Sequence, residues 1–537
     1  MRKLVGALAA ALLTCPFASM PTLAHDHNPC PRPDAGTAVV QPHDLFSQDG
    51  VLDVSFEYYT SVDSAGRTLF CFVTPEGLQS PTLHVWPGDT LNLTVTNRNP
   101  QPPSGSPTEV IANASNRCGD VTMTITSVNV HFHGTNTSPR CHADEVIHTL
   151  INSGEAFKYR VRFPTNEPPG LYWYHPHVHG LSEAAVQGGA SGAIIVEGIE
   201  NLQPSVAGLR ERVLFIRDQT IPNGPPPGGD VPSWDVSLNY VPITYPDFTP
   251  AVIPMKPGEE ELWRVANASA DAILDLHLQY DGVPQPLRIV ALDGVPTGSQ
   301  DGTRRGREVT QTDVLLAPAA RAEFIVTGPP ATVENATLLT LAIDTGPDGD
   351  SDPQRPLARI ATTDSAPELR LIPRRSEPAY SQPHEGLATA EVTARRTLYF
   401  SEEPADPSDP DSETNFFITV DGATPTLFDP SNPPALITKQ GAVEDWTIEN
   451  RSQENHEFHM HQLHFLSLER DGAPVPADKR QYVDTIDVPY WSGTGPYPSV
   501  KVRLDFRGMD VGDFVYHCHI LEHEDGGMMA IIRVLPR

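Results

Sequence analysis

A segment of the same design occurs three times along the chain, and this repeat constrains the fold more than any other feature. The three copies read PGDTLNLTVTN, PGEEELWRVAN and QGAVEDWTIEN. They run from a glycine (Gly88, Gly258, Gly441) to an asparagine nine residues later (Asn97, Asn267, Asn450). Apolar and polar residues alternate between these ends, as in a strand with one buried face. Recurrence at intervals of 170 and 183 residues indicates three similar structural units.

Length and composition agree with three domains built from strands. A chain of 537 residues exceeds one ordinary core and suggests roughly three domains. The 55 prolines and 39 glycines are spread throughout, which disfavours long helices. Further alternating runs, FKYRVRF from Phe157 and VKVRLDF from Val500, are typical of strands. We therefore expect an all-β protein with one or two short helices.

The first 24 residues have the pattern of a cleaved secretory signal. A basic start at Arg2 and Lys3 precedes an apolar run and a small-residue exit near Ala24. The run is shorter than the ~20 apolar residues that a membrane-spanning helix needs. After cleavage we expect the protein to be periplasmic or secreted, without membrane association. We also expect it to be a monomer. The predicted domains are residues 25–203, 204–375 and 376–537.

The charge balance excludes one class of partner. A net charge of −31 and a pI near 4.9 would repel a phosphate backbone, so nucleic-acid binding is not expected. An acidic surface promotes solubility, and it also attracts cations.

The cysteines divide into two sets. Beyond Cys15 in the predicted signal, Cys30, Cys71, Cys118 and Cys141 lie in the N-terminal third, and four cysteines allow three pairings. We favour Cys30 with Cys71 and Cys118 with Cys141. Cys518 is left over, and an odd cysteine in an exported protein needs an explanation.

Half of the 20 histidines occur in four short motifs. The motifs are VHFHG (His131, His133), YHPHVHG (His175, His177), NHEFHMHQ (His456, His459, His461) and VYHCHILEHEDGGMM (His517, His519, His523). Residues two apart on a strand share a face, so each His-x-His presents two imidazoles side by side. Four such pairs indicate a cluster of several metal ions of the kind that imidazole binds.

The two halves of the cluster come from the outer thirds of the chain. GLYWYHPH and GDFVYHCH repeat a glycine five residues before a His-x-His, and the middle third has no such motif. By strand alternation Cys518 faces away from His517 and His519, so it needs other partners. His456, His523 and Met528 complete the set expected of a blue-copper electron-transfer site, whereas zinc would want four firm ligands.

The four motifs, in this order, resemble those of the multicopper oxidases, and HCHILEHEDGGMM resembles the bacterial laccase-like and cuprous oxidases in particular. The resemblance covers nearly the whole chain after the signal, and it implies three cupredoxin-like Greek-key β-sandwich domains and four copper ions. It places a type 1 copper at His456, Cys518 and His523 with axial Met528, and a type 2 copper at His131 and His459. The remaining motif histidines would hold a type 3 pair: His133, His175, His177, His461, His517 and His519.

The resemblance also implies the reaction. Four one-electron oxidations at Cys518 would be coupled to reduction of dioxygen to water, which consumes four protons. The family's proton-relay acids correspond by position to Glu524 and Asp144. The segment SPRCHADEV departs from the family pattern, so Glu145 is an alternative to Asp144.

The identity of the reductant is left open by the sequence. Only eight methionines are present, without a cluster, which favours a laccase-like oxidase of phenols or aromatic amines over a dedicated cuprous oxidase. The acidic stretches SEEPADPSDPDSE and DGDSD, interpreted first as solvated loops, make an oxidase of Cu(I), Fe(II) or Mn(II) the alternative. A non-catalytic copper-binding relative is more remote, because such a protein is expected to have lost ligands.

Overall fold

The computed structural model describes residues 28–113, 115–226, 231–298, 306–372, 386–409, 412–477, 479–508 and 510–537. The predicted signal and the predicted boundary at residue 375 lie outside these residues. Within them, α-helix is limited to Ser182–Gln187 and Leu521–Asp525, with 3-10 turns at Ile199–Asn201, Pro204–Val206 and Leu387–Thr389. The all-β prediction is confirmed. No helix in the described ranges is long and apolar enough to cross a membrane.

The strands fall into three groups along the chain, of which the first lies between residues 44 and 196. One sheet has the order Asp44–Phe46, Thr82–Val85, Gly192–Val196, Gly170–His175, His131–His133. The facing sheet has the order Ala156–Arg162, Thr90–Asn97, Val51–Val62, Thr68–Val73. Two small ribbons pair Cys118–Gly119 with Thr149–Leu150 and Thr108–Val110 with Thr122–Thr124.

The second group lies between residues 210 and 362. One sheet has the order Val241–Ile243, Trp234–Leu238, Arg210–Thr220, Glu260–Asn267, Arg321–Thr327, Leu287–Leu292, Val295–Pro296, and Val309–Gln311 also pairs with Leu287–Leu292. The other has the order Ala251–Met255, Arg355–Thr362, Ala336–Leu341, Leu274–Tyr280, Val283–Pro284, and Asp313–Leu316 also pairs with Leu274–Tyr280.

The third group lies between residues 394 and 535. One sheet has the order Thr414–Val420, Ala394–Pro404, Val443–Asn450, Ser499–Asp505, Phe465–Arg470, Ala473–Pro474, and Tyr482–Val483 also pairs with Phe465–Arg470. The other has the order Leu436–Lys439, Met529–Leu535, Gly512–Cys518, His456–Met460, Thr485–Val488.

Each group encloses its own apolar core, which the alternation in the sequence builds. In the strand Thr90–Asn97 every second side chain is buried, and Leu91, Leu93 and Val95 pack with Leu83 and Val85 of the facing sheet. Corresponding cores lie between the sheets of the second and third groups. Two packed sheets around one core are the usual arrangement of a β-sandwich.

The repeated glycine and asparagine have the same structural role in all three groups. Gly88, Gly258 and Gly441 have φ angles of +93°, +68° and +101°, which L side chains rarely adopt. Asn97, Asn267 and Asn450 are fully buried. In each, Nδ2 donates to two backbone carbonyls and Oδ1 accepts the N–H two residues later. The asparagine thus ties each repeated strand to neighbouring loops.

Contacts between groups join the first group to the third. Val146 and Ile147 of the first group pack with Val515, Met529 and Ile531 of the third. The metal motifs lie at the ends of strands on either side of this contact.

Both favoured disulfides are confirmed. Cys30 bonds Cys71 and Cys118 bonds Cys141, each with Cα atoms 5.6 Å apart. Cys518 is the free cysteine of the described residues, and it is buried.

Candidate metal centres

The four His-x-His pairs converge on one buried site between the first and third groups of strands. Every one of these side chains is at most 1% exposed: His131, His133, His175, His177, His459, His461, His517 and His519. Rings from the two groups stack across the interface, with centroids 3.8 Å apart for His131 and His461 and 4.1 Å for His133 and His459. The structure therefore brings together all eight histidines that the sequence grouped by spacing.

Strand pairing sets the positions of these histidines. In the first group His131 lies opposite His175 on antiparallel strands. In the third group His459 lies opposite His517 in the same way. Facing positions bring Cβ atoms within ~5.5 Å, so each pairing adds a second imidazole beside the first.

Several rings are held by a hydrogen bond from Nδ1, which turns Nε2 toward the site. The partners are Asp144 Oδ1 for His131 (3.0 Å), the Pro176 carbonyl for His175 (2.8 Å), the Asp484 carbonyl for His459 (2.8 Å) and the Cys518 carbonyl for His517 (2.7 Å). An oxygen at Nδ1 fixes the tautomer that leaves Nε2 with its lone pair. This arrangement is typical of metal-binding histidines.

The ring nitrogens that face the site form three histidine groups, and within each group all ligand atoms lie within 4.8 Å of one another. The groups are His131, His133, His459; His133, His175, His519; and His177, His461, His517. Among the described residues, Nε2 of His131, His175 and His459 has no hydrogen-bond partner. Buried polar atoms are rarely left unpartnered, and clustered imidazole nitrogens of this kind suit shared copper ions.

The surroundings keep these rings neutral, which is the form that binds metal. Burial, reinforced by neighbouring rings, lowers the pKa of His517 to about 3. The same causes lower the pKa of most of the others well below the usual value: His131, His133, His175, His459, His461 and His519. The site therefore offers lone pairs and not positive charges across the physiological range.

Cys518 lies in a separate group with His456 and His523. Its Sγ is 3.6 Å from Nδ1 of each histidine, and these two nitrogens are 3.0 Å apart. The Glu457 N–H donates to Sγ at 3.3 Å. Burial raises the pKa of the Cys518 thiol well above its usual value, so a cation is needed to hold the thiolate here. The prediction that Cys518 shares no site with His517 and His519 agrees with this geometry.

Met528 and Met529 differ in their surroundings. Met528 is fully buried in the same core cluster as Cys518, and its carbonyl accepts the Cys518 N–H at 3.1 Å. Met529 lies opposite His517 and packs in the apolar contact between the first and third groups. Met528 is thus the methionine held beside the Cys518 group.

Of the candidate proton-relay acids, Asp144 contacts the eight-histidine site. Its Oδ1 is bonded to His131, and its Oδ2 accepts from Gln462 Nε2 at 2.7 Å. Burial raises its pKa to about 7. Glu145 turns away and accepts hydrogen bonds from His148 and Thr149. The structure brings Asp144 to the site and leaves the alternative, Glu145, outside it.

Glu524 is completely buried, and Oε1 lies 3.7 Å from His179 Nδ1. Burial raises its pKa, but the interactions with the neighbouring His177 and His179 side chains outweigh burial and lower the pKa to about 2. Neither carboxylate oxygen has a hydrogen-bond partner among the described residues. The Glu524 carboxylate is therefore free to accept a hydrogen bond or a proton beside His177.

An acidic cavity of about 500 Å³ lies over the Cys518 group. His523 forms part of its wall, together with eight carboxylate residues: Asp271, Asp348, Asp350, Asp352, Glu402, Glu403, Glu454 and Glu522. None of the described residues lining it is a lysine or an arginine. Its ionisable groups other than His523 are therefore all acids. Burial raises the pKa of Glu454 to about 9 and that of Asp352 to about 7, so part of the negative charge develops only when a cation is bound.

Two of these acids contact the histidines of the Cys518 group directly. Glu402 Oε1 is 2.9 Å from His456 Nε2, and Glu454 Oε1 is 3.2 Å from His523 Nε2. Sequence reasoning missed both. Glu402 belongs to the acidic stretch that was interpreted as a solvated loop, but it lies on the strand Ala394–Pro404. Asp352 of the other stretch is buried, so the loop interpretation is wrong for these two residues.

A third missed residue is Asp484, which links the eight-histidine site to the second group of strands. Its carboxylate accepts two hydrogen bonds from Arg321, at 2.8 and 2.6 Å, and Oδ1 lies 3.3 Å from His133 Nε2. All three side chains are fully buried. A lone aspartate carries no spacing signal, so the sequence could not single it out.

Comparison with known proteins gives a consistent result. Two family models, both described as multicopper oxidase, match residues 107–201 and 401–537, which contain the four motifs. The multicopper oxidase mco of Staphylococcus haemolyticus is 24% identical over 417 residues, 75% of this chain and 76% of that protein. The laccase of Bacillus subtilis is 25% identical over 406 residues, 70% of this chain and 73% of that protein.

A solved structure shares the fold. The multicopper oxidase from Campylobacter jejuni, described as a metallo-oxidase, is 22% identical, with a TM-score of 0.66 over 94% of this chain and 96% of that chain. The prediction of cupredoxin-like domains is in line with this likeness.

Proposed function

This chain belongs to the multicopper oxidase family, and on that premise we propose that it oxidises a small metal cation, Fe(II), Mn(II) or Cu(I), with dioxygen as the electron acceptor. It is a copper-dependent oxidoreductase with oxygen as acceptor. The observation that carries the choice of substrate is the acidic cavity over the Cys518 group.

The ligand sets support four copper ions in two sites. When bound, copper supplies one-electron transfer at the Cys518 site and reduction of dioxygen to water at the eight-histidine site. His456, Cys518 and His523, with Met528, would hold the type 1 ion, and His131 and His459 the type 2 ion. The type 3 pair would be held by the other six: His133, His175, His177, His461, His517 and His519.

The cavity favours a cation over a neutral phenol. The carboxylates that line the cavity raise the local concentration of positive ions, and their oxygens suit Fe(II) and Mn(II) better than the softer Cu(I). Glu402 and Glu454 reach from the cavity to the ring nitrogens of His456 and His523. A cation held by these acids would lie one side chain away from the Cys518 group. The laccase-like alternative, with phenols or aromatic amines, draws its support from relatives such as the Bacillus laccase.

The chain connects the two sites and supplies protons. Cys518 is bonded through the backbone to His517 and His519, so an electron has a covalent route from one site to the other. Asp144 holds His131 and has a pKa near neutrality, which suits a proton donor. Glu524, buried with Oε1 3.7 Å from His179 Nδ1, would pass protons along the His177 side.

We also propose that the chain has three domains, at residues 25–203, 204–375 and 376–537. We further propose that it is exported to an oxidising compartment. The two disulfides support this location, because such bonds persist outside the reducing cytosol.

Oxygen-consumption kinetics with Fe(II), Mn(II), Cu(I) and 2,6-dimethoxyphenol test the substrate. A Glu403→Gln, Glu522→Gln double variant removes two cavity charges that bond no histidine. We expect KM for the metal ions to rise ~fivefold or more per charge, the effect of ~1 kcal/mol. KM for the phenol should not change. Glu334→Gln, at an exposed position outside the cavity, is the matched control.

A preference for the phenol, together with a KM for the metal ions that is unchanged in the double variant, would overturn the assignment of substrate. Cys518→Ser serves as the blank, since it should lose the blue colour and the activity with every reductant.

A further inference from the structure

A second cavity, of about 440 Å³, has the opposite chemistry. It lies where the segment around Arg32 meets the first and second groups of strands, and it shares no lining residue with the acidic cavity. Arg32 and Arg217 line it, and none of its described lining residues is an aspartate or a glutamate. In a chain with a net charge of −31, such a concentration of positive charge is unusual.

Arg217 is a buried cation without a counter-charge. Its residue is 3% exposed, and its guanidinium donates from Nε to Ser191 Oγ at 2.8 Å and from Nη2 to the Ser191 carbonyl at 2.9 Å. Among the described residues, the groups that accept these hydrogen bonds are neutral. A guanidinium this deeply buried is almost always paired with an anion.

Arg32 is half-buried, and it also donates to neutral groups. Its guanidinium donates to the neutral carbonyls of Cys30, Pro31 and Gly188. Its Nε has no hydrogen-bond partner in the described part of the chain. Burial is the main cause that lowers the pKa of Arg32 to about 10, which still leaves it charged at neutral pH.

Tyr240 holds the two cations at the cavity. Their guanidinium carbons lie 4.4 Å (Arg32) and 4.2 Å (Arg217) from the centre of its ring. Its φ is +69°, a strained value for a bulky side chain, and its hydroxyl is bonded to Ser80 Oγ and the Gly189 carbonyl. Strain of this kind persists where the surroundings enforce it, and it is concentrated at binding sites.

The rest of the wall defines the ligand. Nε2 of Gln41 and of Gln79 is a buried donor without a partner among the described residues. Apolar side chains supply other parts of the lining, among them Leu78, Ala193 and Phe215. The wall therefore offers an excess of donors and positive charge beside an apolar surface, in a volume suited to a small organic molecule.

We propose that this cavity binds an organic carboxylate with an apolar body, its charge paired with the guanidiniums of Arg32 and Arg217. The carboxylate lies between both guanidiniums, one negative charge against two positive ones, and accepts from the unpartnered amide donors, while its body contacts the apolar wall. This site is independent of the oxidase reaction and of the identity of its reductant.

Calorimetric titration of the copper-loaded full chain tests the proposal with benzoate as the probe. Benzamide has the same shape without the charge, and formate has the charge without the apolar body. We expect benzoate to bind at one site, and both analogues to bind ~tenfold more weakly or worse, because each lacks one of the two recognition elements. Equal heats for benzoate and benzamide would overturn the proposal.

Variants locate the binding. Arg32→Gln and Arg217→Gln should each weaken benzoate binding ~tenfold, the loss of one charge-assisted hydrogen bond. Arg98→Gln, at an exposed arginine outside the cavity, should leave it unchanged. Arg32 is half-buried, so its variant keeps the test valid if Arg217→Gln fails to fold. Benzoate binding that survives in Arg32→Gln at full strength would place the anion elsewhere, such as on copper, and would refute the site. Oxidase activity with Fe(II) should be unaffected in all three variants.

Discussion

At the residue scale, the chemistry of the eight-histidine site depends on the oxygens that hold its rings. An imidazole binds a metal through one nitrogen, and an oxygen at the other nitrogen decides which one is free. Backbone carbonyls accept the Nδ1 hydrogen bond of His175, His459 and His517, and no side-chain substitution can remove these carbonyls. At His131 the oxygen belongs to the side chain of Asp144, which can be replaced.

Asp144→Asn should slow the reduction of dioxygen and leave electron entry intact. The amide cannot give up a proton, and its NH₂ would face the donor of Gln462. Loss of a general acid lowers the rate ~100-fold or more, so kcat for oxygen consumption should fall by that factor. Anaerobic bleaching of the blue colour by reductant, followed by stopped flow, should keep its rate. Glu145→Gln is the control, and equal kcat values for the two variants would contradict the role.

At the element scale, the repeated asparagine explains why the same segment occurs three times. In each group it ends a central strand and ties that strand to loops through its Nδ2 and Oδ1. Asn97 and Asn450 lie in the groups that carry metal motifs. Asn267 lies in the group without one, so its effect on stability can be measured separately from copper binding.

Asn267→Ala should destabilise the protein without loss of copper. The variant leaves the Ala272 and Leu316 carbonyls and the Ser269 N–H without their partner, at a cost of ~1–3 kcal/mol. The midpoint of thermal unfolding should fall, while copper content and the blue absorbance stay as in the parent. Asn335→Ala, an exposed asparagine, should not shift the midpoint. An unchanged midpoint in Asn267→Ala would show that the repeat is not maintained by these bonds.

Local spacing in the sequence was enough to predict the strands and the convergence of the histidines, whereas it left three disulfide pairings possible, of which the favoured one is confirmed. Side chains two apart on a strand share a face, so His-x-His carries its geometry within three residues. Glu402, Glu454 and Asp484 were missed for the converse reason. Glu402 and Asp484 reach the site through folding of distant segments, as Asp484 does with Arg321, 163 residues away. Glu454 lies two residues before His456, but its carboxylate contacts His523 from another motif. A single acid in a chain with 68 acidic residues has no pattern that would distinguish it.

At the scale of the whole molecule, the second group of strands has no ligands but helps to hold the site. Arg321 extends from its strand Arg321–Thr327 to Asp484 of the third group, and Asp484 in turn lies beside His133 of the first. One buried ion pair thus connects all three groups at the eight-histidine site. This explains why the second group is coupled to a site to which it contributes no histidine.

Breaking this pair should therefore affect both stability and copper binding. Arg321→Met leaves the Asp484 carboxylate buried without its bidentate partner, and an uncompensated buried charge costs ~3–5 kcal/mol. The thermal midpoint should fall, and fewer copper ions per chain should be retained on dialysis, because the Asp484 carboxylate is no longer held in place beside His133. The double variant Arg321→Met, Asp484→Asn removes the unpaired charge as well. Its midpoint should be higher than that of Arg321→Met alone. If the ion pair mattered only through packing, the second substitution would not raise the midpoint. Arg98→Gln, which breaks an exposed ion pair with Glu57, should change neither quantity.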